Sequence, residues 1–393
     1  MIVRQFLQWV RAARPGERAE ATSALARAYL HSDLSPDDLA AAEGAMIMLL
    51  DDPSPLVRRA MSEVFASSQK APPIIVHALA SDQAEVALPL IERSPLLADQ
   101  ELIDLVKRGR PQVQIAVAER PLITIAVAAD IAENGCSDAC LALLQNSDAD
   151  IALASVERIV ARFGHLAAIR ENLLAREDLP MPLRQSLLSK LSQTLAGFVT
   201  ERQWLGPEHA EYAAREACEK ATVALAAETP YEELADLIRH LRESGQLTAG
   251  MLLRALLSGN LVLLEEALAE LSALPVDKVV THLHDKTTAG FRALYRKAAL
   301  PEIAYPGFRA GLAALRDGFA IGEPGGAARL KRRVVERVLM VCTEEGCAQT
   351  LLALLRRFAV EAAREEARLF CDELVSDFAP VPTVRLDEAR LVA

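Results

Sequence analysis

The feature that most constrains this chain is a junction that recurs along its first half. It first appears as Leu49-Leu50-Asp51-Asp52-Pro53-Ser54-Pro55-Leu56-Val57-Arg58. An apolar helix ends, an acidic turn follows, and an apolar residue opens the next helix. Looser copies run from Leu79 to Val86 and from Leu144 to Ile151. The first apolar residues after the turns are Val57, Val86, Val113, Ile151 and Leu183, at intervals of 29, 27, 38 and 32. That spacing fits pairs of helices. A single hairpin cannot bury its apolar stripe, but a stack of hairpins can. The interval of 38 predicts an extra helix at Leu122–Glu133. Asp52, Asp82 and Asp148 stand where a side-chain oxygen can cap the following helix. Pro53 and Pro55 stop one helix and pre-set the next.

Helix signals continue beyond the junctions, whereas sustained alternating strand patterns are missing. Ser35-Pro36-Asp37-Asp38 reads as a helix start, and Thr229-Pro230-Tyr231-Glu232-Glu233 follows the same logic. Ser244-Gly245 reads as a stop, with Thr248 and Asn260 as further caps. Helices are predicted at Tyr231–Glu243, Thr248–Leu257, Asn260–Ala273, Val276–His284 and Thr287–Ala299. Gly197 to Pro207 reads as a joint, and Ile321-Gly322-Glu323-Pro324-Gly325-Gly326 as the clearest breaker. The expected organisation is helical repeats over 1–200, a second repeat segment over 201–322, a helical cap over 327–378 and a tail over 379–393.

Composition narrows the function classes. Hydrophobic residues make up 51% but aromatics only 4%, so the core must be built from Ala, Leu, Val and Ile. The net charge is −11, which weighs against a general nucleic-acid binder. Arg4, Arg11 and Arg14 interrupt any secretory leader over Met1–Val10. The best apolar stretch, Pro121–Ala129, is far short of the ~20 residues of a membrane span. Six scattered cysteines point to reduced thiols and a cytoplasmic setting.

No catalytic constellation emerges, and neither a cofactor nor a metal is expected. Cys136/Cys140 and Cys342/Cys347 lack the partners and spacing of a zinc site. His282 and His284 do not share a helix face, and the adjacent pairs Glu265-Glu266 and Glu365-Glu366 diverge by about 100°. Two basic clusters are the better binding candidates. One is Arg292, Arg296 and Lys297 around Tyr295. The other comprises Arg329, Lys331, Arg332, Arg333 and Arg337, in a stretch, 327–370, with nine Lys/Arg against six Asp/Glu. Such asymmetry suits an acidic partner or the chain's own acidic residues. Leu351, Leu355, Phe358, Ala362 and Leu369 form a heptad-like stripe, suited to a cap or to a homodimer seam.

The junctions resemble those of HEAT-type repeats, with Leu50–Arg58 as the strongest instance. More specifically, the chain is similar to a bacterial HEAT-like family catalogued only as a domain of unknown function. The resemblance rests on Asp82–Leu97, on Gly245-Gln246-Leu247-Thr248 with Leu252–Leu256, and on Phe291–Pro301. It implies family membership over roughly residues 20 to 320 and supplies no functional residue.

The expected architecture is therefore all-α, a right-handed HEAT-like superhelix (solenoid) with a helical C-terminal cap. The expected function, by analogy of fold, is a protein–protein interaction scaffold, adaptor or regulator without catalysis. Arg58, Arg59 and Glu63 are candidates for its partner-binding face. The alternatives are a HEAT-like enzyme of the nucleic-acid glycosylase or chromophore-lyase type, and a small-molecule sensor. A glycosylase would need a basic concave face with aromatics, and a sensor a deep apolar pocket.

Overall fold

The computed structural model describes residues 9–10, 12–285, 288–321 and 326–377. The leader reading over 1–8, the centre of the Ile321–Gly326 breaker and the tail over 379–393 lie outside the described residues. Among those residues the elements are helical and no strand occurs. The chain divides into two compact units, Met1–Leu179 and Pro180–Ala393.

The first unit holds α1 (Pro15–His31), α2 (Pro36–Leu49), α3 (Pro55–Phe65), α4 (Pro73–Ala80), α5 (Ala84–Arg93), α6 (Asp99–Lys107), α7 (Pro111–Ala118), α8 (Ile125–Asn134), α9 (Ser137–Gln145), α10 (Leu153–Phe163) and α11 (Ala167–Leu174). Helices pack on their next-but-one neighbours. The row α1, α3, α5, α7, α9, α11 is continuous, and α6, α8 and α10 form a second row. Val57, Met61, Phe65, Ile75, Leu79, Val86 and Leu90 are fully buried between such helices. The markers Val57, Val86 and Val113 thus sit in the core. Ile151 does not: it is half-buried ahead of α10, and the buried position is Val156.

The turn aspartates do something the sequence did not disclose. Arg18 of α1 donates to both carboxylate oxygens of Asp52 at 2.8 Å. Arg58 of α3 does the same to Asp82 at 2.6 and 3.0 Å. Asp52 also accepts from the backbone N–H of Ser54, and Asp82 from that of Gln83. These bonds lie ahead of the helix, so the two aspartates brace turns rather than cap helices. In the third copy the brace is Asn146, not Asp148. Its amide donates to the carbonyls of Ala118 and Arg120, and its oxygen accepts from the N–H of Asp148.

A second brace acts on helix ends, where the last carbonyls have no partner inside the helix. Arg120 donates to the carbonyls of Ile91 and Ser94 at the end of α5. Arg162 repeats the contact at the end of α8, on Ala132 at 2.6 Å and Gly135 at 2.8 Å. A cation at a helix C-terminus is also favoured by the macrodipole.

The second unit holds α12 (Met181–Glu201), α13 (Pro207–Glu228), α14 (Tyr231–Glu243), α15 (Ala249–Leu257), α16 (Leu261–Ser272), α17 (Val276–His284), α18 (Thr288–Lys297), a 3-10 turn (Glu302–Ala304), α19 (Tyr305–Ile321), α20 (Gly326–Glu344) and α21 (Gln349–Asp377). Next-but-one packing recurs: α12 on α14, α14 on α16, α16 on α18, and α13 on α15. α15 then meets α19, α19 meets α20, and α20 meets α21. Every residue of α15 from Met251 to Leu257 is buried. A side chain at Gly311 of α19 would place its Cβ 2.8 Å from Leu256, so glycine permits this close approach. Arg316 caps the end of α17 through the carbonyls of Leu283 and Asp285.

Several boundaries differ from expectation. The units divide at 179/180, because α12 belongs with α13. The joint begins only after Glu201, and Gly197 lies inside α12. The helical segment expected over 327–378 consists of two helices, α20 and α21, through Asp377. Thr229 bonds back to Leu225, leaving Pro230 to open α14. Ser35, Thr248 and Asn260 do cap their helices, on Asp38, Met251 and Leu263.

Two predictions follow from the braced junctions. Val57→Asp places an unpaired charge in a site with no exposure and lowers stability by about 3 kcal/mol or more, read by thermal or denaturant melting. Burial pushes the Asp52 carboxyl upward, but Arg18, the Ser54 N–H and Arg58 outweigh it and hold the pKa below its ordinary value. A depressed carboxylate stabilises the fold above its unfolded pKa of ~3.9 and loses that contribution as pH falls through the folded value. Asp52→Asn therefore flattens the acid limb of a melting-temperature profile recorded downward from about pH 5.

Candidate functional site

The residues singled out from sequence are dispersed and mostly committed to the fold. Arg58 is held in the Asp82 brace. Arg59 and Glu63 pair with each other on the exposed face of α3, at 2.9 Å. In α18, Arg296 pairs with Glu302, Arg292 lies over the Tyr305 ring, and Lys297 is exposed. Tyr295 is a correction: it is fully buried and its hydroxyl donates to the Pro301 carbonyl. It shares the inward stripe of α18 with Phe291, Leu294 and Ala298. On α20, Lys331 pairs with Glu365, Arg332 with Glu336 and Glu366, and Arg337 with Asp317. Arg333 is exposed on the same helix. The basic cluster is thus largely neutralised by the chain's own acids, and the two adjacent glutamates of α21 serve as its partners.

The structure instead builds a cleft of about 790 Å³ between α12, α13 and the α14–α15 turn. α12 supplies Ser189, Ser192, Gln193 and Thr200, and α13 supplies Glu211, Arg215 and Glu219. The turn is locked by Gly245 at φ +70°, which lets the Gln246 N–H reach the Leu241 carbonyl at 2.8 Å. Gln246 then accepts from Gln185. Thr248 caps α15 while its hydroxyl donates to Glu219 at 2.9 Å.

Behind this turn, His240 Nε2 lies 3.1 Å from both Ser186 Oγ and Gln185 Oε1. Burial lowers the His240 pKa, against the opposing pull of Glu243. One ring nitrogen serves both neighbours, and among the described residues no carboxylate bonds Nδ1. The group ties α12 to α14; it lacks the oriented base that an activated serine requires. The cleft's hydroxyls, amides and mixed charges suit a polar ligand held by hydrogen bonds. Its signal in the sequence was a small polar stripe, Ser189, Ser192, Ala196 and Thr200, at helical spacing on α12.

The profile of a family described as "Uncharacterised protein conserved in bacteria (DUF2336)" matches residues 86–346. The chain belongs to this family. The match begins later than residue 20 and continues past residue 320 into α20. It contains the cleft-forming turn Gly245–Thr248 and the α18 segment. No curated protein and no solved structure matches the chain.

Other chemistry is confined by pairing or burial. Among the described residues no group of three or more His, Cys, Asp or Glu side chains converges to hold a metal. Glu265 faces His284 at 3.3 Å. Burial pushes the Cys140 thiol up to about 11, and burial together with Cys347 pushes Cys342 up to about 12. Cys371 is exposed. Reaction with a thiol-specific disulfide reagent at pH 8 is therefore expected to label Cys371 rapidly. Cys140 and Cys342 should react only after unfolding, because the thiolate is the nucleophile. Peptide mapping of the native, labelled protein reads the order directly.

Proposed function

We propose that the chain is a helical-repeat scaffold, adaptor or regulator whose units are HEAT-like solenoids that bind a protein partner. The observation that carries this reading is the stacking of next-but-one helices with arginine braces at successive turns. Such a stack is rigid and presents long outer faces that its own core does not use. On α2, Leu39, Ile47 and Met48 are exposed, and Leu122, Ile125 and Leu153 are exposed near later turns. Apolar side chains left outside a core are common at binding surfaces. No helix among the described residues is long and apolar enough to cross a membrane.

A second reading, a small-molecule sensor, draws support from the size of the cleft, while its polar lining differs from the deep apolar pocket expected of a sensor. Its volume lies within the range of ligand pockets, on the order of 300–1,000 Å³. A nucleic-acid glycosylase draws less, because the cleft carries three glutamates, Glu201, Glu211 and Glu219, against Arg215.

Affinity capture of the tagged full chain from a lysate of its source bacterium, followed by mass spectrometry and light scattering, separates these readings. The scaffold predicts one recurrent protein partner at a defined stoichiometry. A recurrent bound metabolite with no protein partner would replace the scaffold by the sensor.

A further inference from the structure

The far face of α21 carries an excess of positive charge, five Lys/Arg lining the groove against four Asp/Glu. Facing it across a groove of about 790 Å³ is α13. Three of the four acids of this groove already have partners; the fourth, Asp372, is exposed at its C-terminal end. Glu361 pairs with the buried Arg254 and, at 2.9 Å, with Lys220. Glu216 lies 3.5 Å from Arg254 and 3.8 Å from Arg357, and Glu365 is held by Lys331 at 2.8 Å. Arg254 is itself pinned over the Phe358 ring at 4.4 Å. Three arginines remain. Arg356, Arg364 and Arg368 line the groove, are exposed, and make no ion pair among the described residues. Their steps of eight and four residues put them on one helical stripe, about 12 and 6 Å apart. Val360 and Leu369, both about half exposed, lie along the same groove.

We propose that the α13–α21 groove docks an acidic amphipathic helix of a partner protein. Its carboxylates, one or two turns apart, meet Arg356, Arg364 and Arg368, and its apolar residues cover Val360 and Leu369. This inference rests on the scaffold reading and names the chemistry of its partner. Charge complementarity selects the occupant. Guanidinium groups pair with carboxylates through two parallel hydrogen bonds, and the ~6 Å pitch matches carboxylates four residues apart on a helix. A continuous phosphate backbone fits less well. Glu216, Glu361 and Glu365 alternate with the arginines, and Val360 and Leu369 offer a polyanion nothing. A second copy of this chain, at −11 overall, meets long-range repulsion.

The test uses the full chain and a fluorescein-labelled acidic amphipathic helical peptide of about 18 residues, with Glu and Leu on one face. Fluorescence anisotropy should give saturable, salt-sensitive binding. The triple variant R356E/R364E/R368E should weaken it by about tenfold or more, with an unchanged circular dichroism spectrum and melting temperature. R356Q/R364Q/R368Q should weaken it less. Equal binding by the charge-reversed chain overturns the proposal. So does tighter, arginine-dependent binding of duplex DNA or of anionic phosphatidylserine vesicles, or self-association lost in the variant. Capture experiments with the same variant separate the two levels of the argument. A partner retained by R356E/R364E/R368E sinks the groove assignment and leaves the scaffold standing. No partner with either chain removes both.

Discussion

An arginine that reaches across to the neighbouring hairpin, forward or back along the chain, to hold a turn or a helix end is what keeps the stack in register. Arg18 and Arg58 grip turn carboxylates, while Arg120, Arg162 and Arg316 grip terminal carbonyls. A buried helix end without partners costs roughly 1–3 kcal/mol for each orphaned carbonyl. Apolar contacts between smooth Ala/Leu/Val faces are non-directional and permit one helix to slide over another. A forked guanidinium bound to two fixed oxygens does not permit it. Desolvating such cations offsets much of the Coulomb gain, so the braces contribute registry more than gross stability.

This dependence explains why the candidate surface shifted. Charged residues that look available in a linear sequence are the residues a helical stack recruits to join its layers. Arg58 was absorbed by Asp82, and Lys331 and Arg332 by Glu365 and Glu366. The local excess of basic residues over 327–370 is real, but Lys331, Arg332 and Arg337 of α20 are paired within the unit. On the opposite side of α21, Arg356, Arg364 and Arg368 remain exposed. The heptad-like stripe was redistributed in the same way: Leu351, Leu355, Phe358 and Ala362 are buried within the unit, and Leu369 alone is half exposed.

Legibility in the sequence followed the range of each interaction. Local signals read well. Ser35, Thr248 and Asn260 cap their helices, Ser244-Gly245 ends α14, and the extra helix in the longest interval is α8. Signals depending on a partner far along the chain did not. Asp52 and Asp82 looked like caps because their arginines lie 34 and 24 residues away. Tyr295 looked like a surface aromatic among cations because its burial is set by Phe308 and Tyr305, contributed by another helix. The cleft left only the small-residue stripe of α12 in the sequence for the same reason: it needs α12 and α13 side by side and the α14–α15 turn folded against them.

Local sequence signals were enough to establish that the described residues form helices and no strands, where most of the turns fall, and that the interior is built mainly from aliphatic side chains. Those properties are set by caps, glycines, prolines and a 3.6-residue apolar period, all of which act within a few residues. Which charges became internal braces and which remain at the surface was set by the packing of the helices. An ion pair is chosen by proximity in space, and a one-dimensional pattern does not encode which helix packs beside which.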